Sequence, residues 1–203
     1  MAISNYSDLK TSIANWLARD DLTTLIPDFI AIAENYMAED LRIRAMETAL
    51  SDTIASGVIS VPTGYIELKN AYIDGTPTRW LQRKDPEWIY MNYPTRSADG
   101  EPAFIAREAE NFIFGPYPDT AYTVKGIYYK KITALSDANT TNWFTNNAPQ
   151  LVIYGALVEA YLYIQEESQA QIWKTRYDAE IKRIQDNDDR EFLSGSTLTM
   201  TAG

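Results

Sequence analysis

The chain has 203 residues, with 28 acidic and 18 basic side chains, a net charge of −10, and neither cysteine nor histidine. This length can bury a core and form one or two domains, and the apolar and aromatic content excludes a wholly disordered chain. The lack of cysteine and histidine excludes disulfides and every Ser-His-Asp or Cys-His catalytic centre. The acidic charge disfavours binding to nucleic acid and to anionic membranes.

The N-terminal segment and the apolar runs predict neither a signal peptide nor a membrane span. The first ten residues, MAISNYSDLK, lack a basic segment followed by an apolar one. The most apolar run, Leu151 to Ile164, is short and contains Glu159. We therefore expect synthesis in the cytoplasm.

The first 45 residues are predicted to form two helices. Apolar residues at helical spacing predict a helix over 6–18, with Ser7 as its N-cap, and the sequence ARDDL interrupts it. A second helix should begin near TTLIPD, with a threonine cap, Pro27 in its first turn and the cations of Arg42 and Arg44 at its end. The apolar stripe of this helix contains Ile26, Phe29, Ile30, Ala33, Tyr36, Met37 and Leu41.

Residues 46–148 carry the signals of a β-rich region. Short apolar runs are separated by glycine and proline, and Asp74-Gly75 is a candidate hairpin turn. A second hairpin is expected where AFIAR and NFIFG are joined by residues 108–110. The sequence YTVKGIYY alternates between two faces, as a strand does, and KDPEWIYMNY is compatible with one short helix.

Helical spacing returns for residues 149–190. The run from Leu151 to Ile164 is apolar on nearly all sides, which predicts a central helix. After a junction at 166–168, a second helix is predicted. It has one narrow apolar stripe, formed by Trp173, Tyr177, Ile181 and Ile184. The sequence DNDD should end this helix, and residues 191–203 should form an extended tail. The predicted fold class is α+β: a bundle of N- and C-terminal helices, an inserted antiparallel β-rich region and an extended C-terminal tail.

Motifs for catalysis or metal binding are weak throughout the sequence. Neither a dinucleotide-binding nor a phosphate-binding glycine motif occurs. The segment DNDDREFLSGST departs from a calcium-binding loop at Arg190, Glu191 and Thr197. The sequence therefore predicts no catalytic residue, no metal site and no cofactor.

Two surface features leave rival functions open. The carboxylate pairs Asp85 with Glu87 and Glu108 with Glu110 could serve a carbohydrate-binding or carbohydrate-cleaving protein, although surface charge is the simpler interpretation. The cluster YYKK at 128–131 mixes aromatic and basic residues, as single-strand nucleic-acid binders do. The many Tyr and Trp residues favour a third interpretation, an assembly component, because these residues are enriched at interfaces.

Read as a whole, the sequence resembles the head-to-tail adaptors of short-tailed bacteriophages, the group that includes tail tubular protein A. The similarity covers roughly residues 5–185 and depends on the order of many weak matches. It is carried by NYSDLKTSIANWLARDDLTTLIPDFIAIAENYMAEDLRIRAME, ISVPTGYIELKNAYIDG, GEPAFIAREAENFIFGPYPDTAYTVKGIYYKKITALSDANTTNWF and APQLVIYGALVEAYLYIQEESQAQIWKTRYDAEIKRI.

This resemblance implies a structural, non-enzymatic protein of the virion, located at the head–tail interface. Family adaptors form a ring of about twelve copies beneath the portal. Such a ring continues the channel for double-stranded DNA and offers a surface to the tail nozzle protein and often to tail fibres. Over about twelve chains the charge of −10 becomes roughly −120, and an acidic lumen would let DNA slide without binding. Another ring protein of the virion, a stopper or a nozzle component, is the nearest alternative.

Two sets of residues are predicted to make contacts. The tail is expected to bind the portal or a neighbouring subunit through Phe192, Leu193, Leu198 and Met200. The C-terminal helix is expected to supply further interface residues, Trp173, Tyr177 and Ile181.

Overall fold

The computed structural model describes residues 3–97 and 100–194, and its chain separates into two compact units. One unit joins the first 45 residues to the C-terminal part of the chain from Ile132 onward and is helical. The other runs from Met46 to Lys131 and is rich in strands. The α+β fold class predicted from the sequence is confirmed. The C-terminal part of the helical unit begins at Ile132, whereas the predicted β-rich region extended to residue 148. Residues 132–148 include a helix.

The helical unit contains five helices in its described part. They are α1 (Tyr6–Leu17), α2 (Ile26–Asp40), α4 (Trp143–Asn147), α5 (Pro149–Tyr163) and α6 (Glu167–Ser194). Helix α5 contacts each of the other four, and seven of its fifteen residues are buried. A helix that is apolar on all sides is stable only when others surround it, so α5 is the centre of this unit.

The starts of the first two helices differ from the prediction. Asn5, in an extended conformation, caps α1 by accepting a hydrogen bond from the Asp8 amide at 2.9 Å, whereas Ser7 already lies inside the helix. Helix α2 follows directly from a 3₁₀ turn, Thr23–Leu25, and has no side-chain cap. A threonine cap is unnecessary there because the turn continues into the helix and Leu25 N–H donates to the Leu22 carbonyl at 2.9 Å.

Helix α6 is longer than the sequence predicted, because DNDD does not end it. The helix continues to Ser194, so residues 191–194 are helical and not part of an extended tail. Arg44 explains the extension, since its guanidinium pairs with Asp188 at 3.2 Å and with Glu191 at 2.5 Å. These two carboxylates lie one turn apart on the same side of α6, and their pairing holds the last turns against the unit. The remainder of the predicted tail, 195–203, lies outside the described residues.

The β-rich unit contains two four-stranded sheets. The first has the order β1 (Glu47–Thr53), β8 (Thr123–Lys130), β3 (Tyr65–Ile73) and β4 (Arg79–Trp80), and all of its pairs are antiparallel. The second has the order β2 (Val58–Ser60), β7 (Asn111–Gly115), β6 (Phe104–Glu108) and β5 (Gln82–Arg83). Its β5–β6 pair is parallel, which is a small departure from the predicted antiparallel region.

The two sheets share one core, and a short helix covers part of the second sheet. Leu68 and Val124 from the first sheet belong to the same buried cluster as Ile105 and Phe114 from the second. Helix α3 (Pro86–Asn92) contributes Ile89 to a separate small cluster on β6 and β7. The predicted hairpin at 108–110 and the short helix are therefore both present. The predicted turn at Asp74-Gly75 lies in the connection between the antiparallel strands β3 and β4.

Candidate interaction surfaces

The predicted interface stripe on α6 lies mainly inside the helical unit. Trp173 and Tyr177 are 7% and 5% exposed, and the Tyr177 hydroxyl donates to Asp40 at 3.2 Å. Burial and the nearby Asp40 carboxylate raise the pKa of Tyr177. In this conformation both rings pack inside the bundle, and their role at an interface stays a prediction. Ile181 is partly exposed, and its contact role stays a prediction.

The end of α6 carries the two described members of the predicted portal-binding set. Phe192 is 60% exposed and Leu193 is 53% exposed, although each makes contacts within the chain. Leu198 and Met200, the other two members, lie outside the described residues. Removing a large apolar side chain from water is favourable in free energy, so the end of α6 is suited to contact with another chain.

The corner between α5 and α6 forms a second exposed surface. Leu162 and Tyr163 at the end of α5 are 49% and 60% exposed. Gln165 has a positive φ of 62°, which turns the chain sharply before α6 begins. Glu166 and Glu167 follow and are exposed, and neither forms an ion pair with another described residue. We call residues 162–167 the acidic corner.

The β-rich unit contains a pocket that the sequence analysis missed. Its volume is about 600 Å³, and it lies where β3, β5, β6 and the start of α3 meet. Its lining includes Arg83, Lys84 and Arg107, with Asp85 as its one acidic residue, and the aromatic rings of Tyr65, Trp88 and Phe112. We call it the cationic pocket. Arg107 lies more than twenty positions after the adjacent Arg83 and Lys84, and the parallel β5–β6 pairing brings the three together.

The carboxylates proposed for carbohydrate chemistry are exposed. Glu108 and Glu110 flank the β6–β7 turn, and Glu108 accepts hydrogen bonds from the Tyr90 hydroxyl at 2.9 and 3.0 Å. Asp85 and Glu87 lie at the exposed start of α3. Asp85 lines the cationic pocket but Glu87 does not, so neither pair brings two carboxylates into one pocket, and the arrangement lends no support to a glycosidase centre.

The YYKK cluster does not form one surface. Tyr128 is buried and stacks on Tyr65, with their ring centres 5.8 Å apart, whereas Tyr129 and Lys130 follow at the end of β8. A strand places alternate side chains on opposite faces. The two tyrosines therefore cannot act together as a platform for bases.

None of the helices that the structure describes is sufficiently long and apolar to cross a membrane. Within residues 3–97 and 100–194, His, Cys, Asp and Glu form no group of three or more that could hold a metal ion.

Comparison with known proteins assigns the chain to a class. One family model matches residues 4–200, nearly the whole length, and it describes phage adaptor proteins, which have a structural role in the virion. The chain belongs to this family, the SU10 adaptor proteins. None of the curated proteins matches the chain.

Proposed function

We propose that the protein is the head-to-tail adaptor of a short-tailed phage, similar to tail tubular protein A. About twelve copies form a ring that joins the portal to the tail nozzle and continues the DNA channel. The match of the adaptor family to residues 4–200 is the observation that carries this proposal. The ring also offers attachment points to tail fibres, and double-stranded DNA passes through its lumen without specific binding.

We propose that the end of α6 and the residues after it bind the portal. Phe192 and Leu193 are large, apolar and exposed at the last turn of a helix that Arg44 holds in place. Such side chains, presented on a rigid element, lose little conformational freedom on binding. Leu198 and Met200 extend the apolar character of this region in the sequence.

Co-sedimentation with portal rings from the same phage tests the proposal. We expect the full chain to add a second ring to the portal, visible by electron microscopy. The variant Phe192→Ala with Leu193→Ala should bind at least about ten-fold more weakly, because two interface anchors are removed. Ile172→Ala is the matched control, since Ile172 is 48% exposed on the same helix, and it should bind like the wild type.

A chain truncated after Ser194 separates the roles of helix and tail. If truncation weakens portal binding while α6 stays folded by circular dichroism, residues 195–203 contribute to the contact. If the full chain does not bind the portal, the adaptor position is wrong, and a nozzle or stopper position becomes the alternative to examine.

A further inference from the structure

The cationic pocket carries positive charge on a strongly acidic chain. Three cationic residues and one acidic residue line it, whereas the whole chain has a net charge of −10. The buried apolar side chains of Leu68, Ile105 and Phe112 also belong to its lining. A complementary ligand therefore carries negative charge for the cations and an apolar or aromatic group for the rings of the lining.

Aromatic rings hold two of these cations in place. The Arg107 guanidinium lies 5.0 Å from the centre of the Tyr65 ring, and the Lys84 ammonium lies 4.9 Å from the centre of the Trp88 ring. Such contacts orient the charged groups and cover a face of each ring. Nucleic-acid bases and sugars bind by stacking on open ring faces, so the arrangement favours a carboxylate-bearing ligand over either of them.

Arg83 donates to the Leu68 carbonyl and pairs with Glu67, whereas Lys84 and Arg107 keep most of their hydrogen-bonding capacity. Arg107 donates one hydrogen bond, from Nε to the Ala109 carbonyl at 3.2 Å, and a guanidinium has five N–H groups. Within the part of the chain that the structure describes, Lys84 and Arg107 form no ion pair. Both are therefore available for charge-assisted hydrogen bonds to carboxylates.

The acidic corner on another copy of the chain has the complementary chemistry. The chain reverses there between two helices, and Tyr163, which is 60% exposed, lies close in sequence to the exposed carboxylates of Glu166 and Glu167. The sequence contains no basic residue between Lys131 and Lys174, so no nearby cation along the chain neutralises this corner. Copies that each carry a net charge of −10 repel one another unless opposite charges meet at their contact.

We propose that the cationic pocket of one copy receives the acidic corner of the next copy. Tyr163 packs against the aromatic side chains of the pocket, and Glu166 and Glu167 pair with Lys84 and Arg107. The contact is heterologous, joining two different surfaces of identical chains, which is the type of interface that a closed ring requires. This inference rests on the ring named in the proposed function, and it assigns the surfaces that join its copies.

Charge reversal on both sides tests this contact. Assembly is measured by analytical ultracentrifugation and by counting copies on portal rings. We expect Lys84→Glu with Arg107→Glu to lose assembly, and Glu166→Lys with Glu167→Lys to lose it as well. An equimolar mixture of the two variants should assemble again, because each acidic surface then meets a basic one. Thermal unfolding of each variant confirms that it is folded.

Matched controls reverse the same number of charges elsewhere. Lys125→Glu with Lys130→Glu changes β8 outside the pocket, and Asp186→Lys with Asp189→Lys changes α6 away from the corner. Both controls should assemble like the wild type. Because the chain has no native cysteine, Lys84→Cys with Glu167→Cys should also give a ladder of disulfide-linked oligomers on non-reducing gels. Lys130→Cys with Glu167→Cys should stay monomeric on the same gels.

Three outcomes would overturn the inference. In the first, both reversed variants assemble like the wild type, which refutes this contact and leaves the adaptor function standing. In the second, pocket reversal abolishes binding of the portal or of a labelled oligonucleotide but not assembly, which assigns the pocket to another partner. In the third, the wild type assembles neither alone nor on the portal, which refutes the proposed function together with the contact.

Discussion

Glu34 is a buried carboxylate on α2 that the hydrophobic pattern did not mark. It is 5% exposed and accepts hydrogen bonds from the Leu135 amide at 3.1 Å and from Asn142 Nδ2 at 2.9 Å. Asn142 also caps α4 through its Oδ1. One carboxylate thus connects α2 to the loop that leads into α4, a contact between residues about a hundred positions apart.

Substituting Glu34 by alanine should destabilise the protein by about 2 kcal/mol, because the Leu135 amide would be buried without an acceptor. Urea unfolding followed by circular dichroism measures this change. Glu39→Ala is the control, since Glu39 is exposed on the same helix and its loss should change stability little. Equal effects of the two substitutions would show that the Leu135 amide finds another partner.

Two carboxylates, one on α5 and one on α6, make contributions to stability that change with pH in opposite directions. Hydrogen bonds from Arg183 and Gln150 lower the pKa of Glu180 against a smaller effect of burial, whereas burial raises the pKa of Glu159. A lowered pKa in the folded state means that Glu180 stabilises the fold above its unfolded pKa and loses this contribution as the pH falls. The ionised Glu159 carboxylate destabilises the fold, because it is partly buried, and this cost disappears as the pH falls and the group is protonated.

Glu159→Gln should therefore raise the melting temperature at pH 7 by a small amount, since the glutamine carries no charge to desolvate. The gain should shrink as the pH falls below the folded pKa of Glu159, where the wild-type side chain is already neutral. Melting curves between pH 4 and pH 8 measure this dependence. A gain that is constant over this range would mean that packing and not charge is responsible.

Among the strands, close backbone contacts restrict which residue β8 can carry at position 126. Gly126 lies in β8, between β1 and β3, and opposite an irregularity in the β3 register. A Cβ atom on Gly126 would lie 2.2 Å from the Asn70 carbonyl oxygen and 2.9 Å from the Ala71 Cα. Both neighbours are backbone atoms, so no side-chain rotation relieves the clash.

We expect Gly126→Ala to destabilise the protein by about 3 kcal/mol or more, because the strands must separate locally. Gly75→Ala is the matched control, since its Cβ would meet only the Pro77 carbonyl oxygen, at 3.7 Å. Thermal unfolding of both variants provides the comparison. If Gly126→Ala melts like the wild type, the β3–β8 contact is looser than the structure indicates.

At the scale of the whole molecule, net charge sets the behaviour toward DNA. The chain carries −10 charges, and a ring of about twelve copies would carry roughly −120, so its field repels phosphates. A protein that guides DNA through a channel gains from this repulsion, because tight binding would slow passage. This interpretation belongs to the proposed adaptor function.

The full chain should therefore not retard linear double-stranded DNA in gel shift assays, even at low salt, where electrostatic attraction is strongest. A variant with Glu166→Lys and Glu167→Lys is a useful comparison, since its net charge changes from −10 to −6 and it should still not bind. Retardation that disappears as salt is added would reveal a phosphate-binding surface and contradict the prediction.

The local structure and the class of fold follow from the amino-acid sequence alone. Periods of about 3.6 and of 2 residues are properties of neighbouring positions, so the patterns around Leu9, Leu151 and Val124 predicted helices and a strand that are present. Glycine and proline likewise marked the connections, since their backbone preferences do not depend on distant contacts.

Which side chains meet depends on the folded chain as a whole. The tertiary structure buried Trp173 and Tyr177 inside the bundle, extended α6 through the pairing of Arg44 with Asp188 and Glu191, and brought Arg83, Lys84 and Arg107 to one pocket. Each of these depends on residues far apart in the chain, and no periodic pattern encodes such distances. The conformational entropy of closing those loops is offset only when the whole core forms, so the sites arise together with the fold.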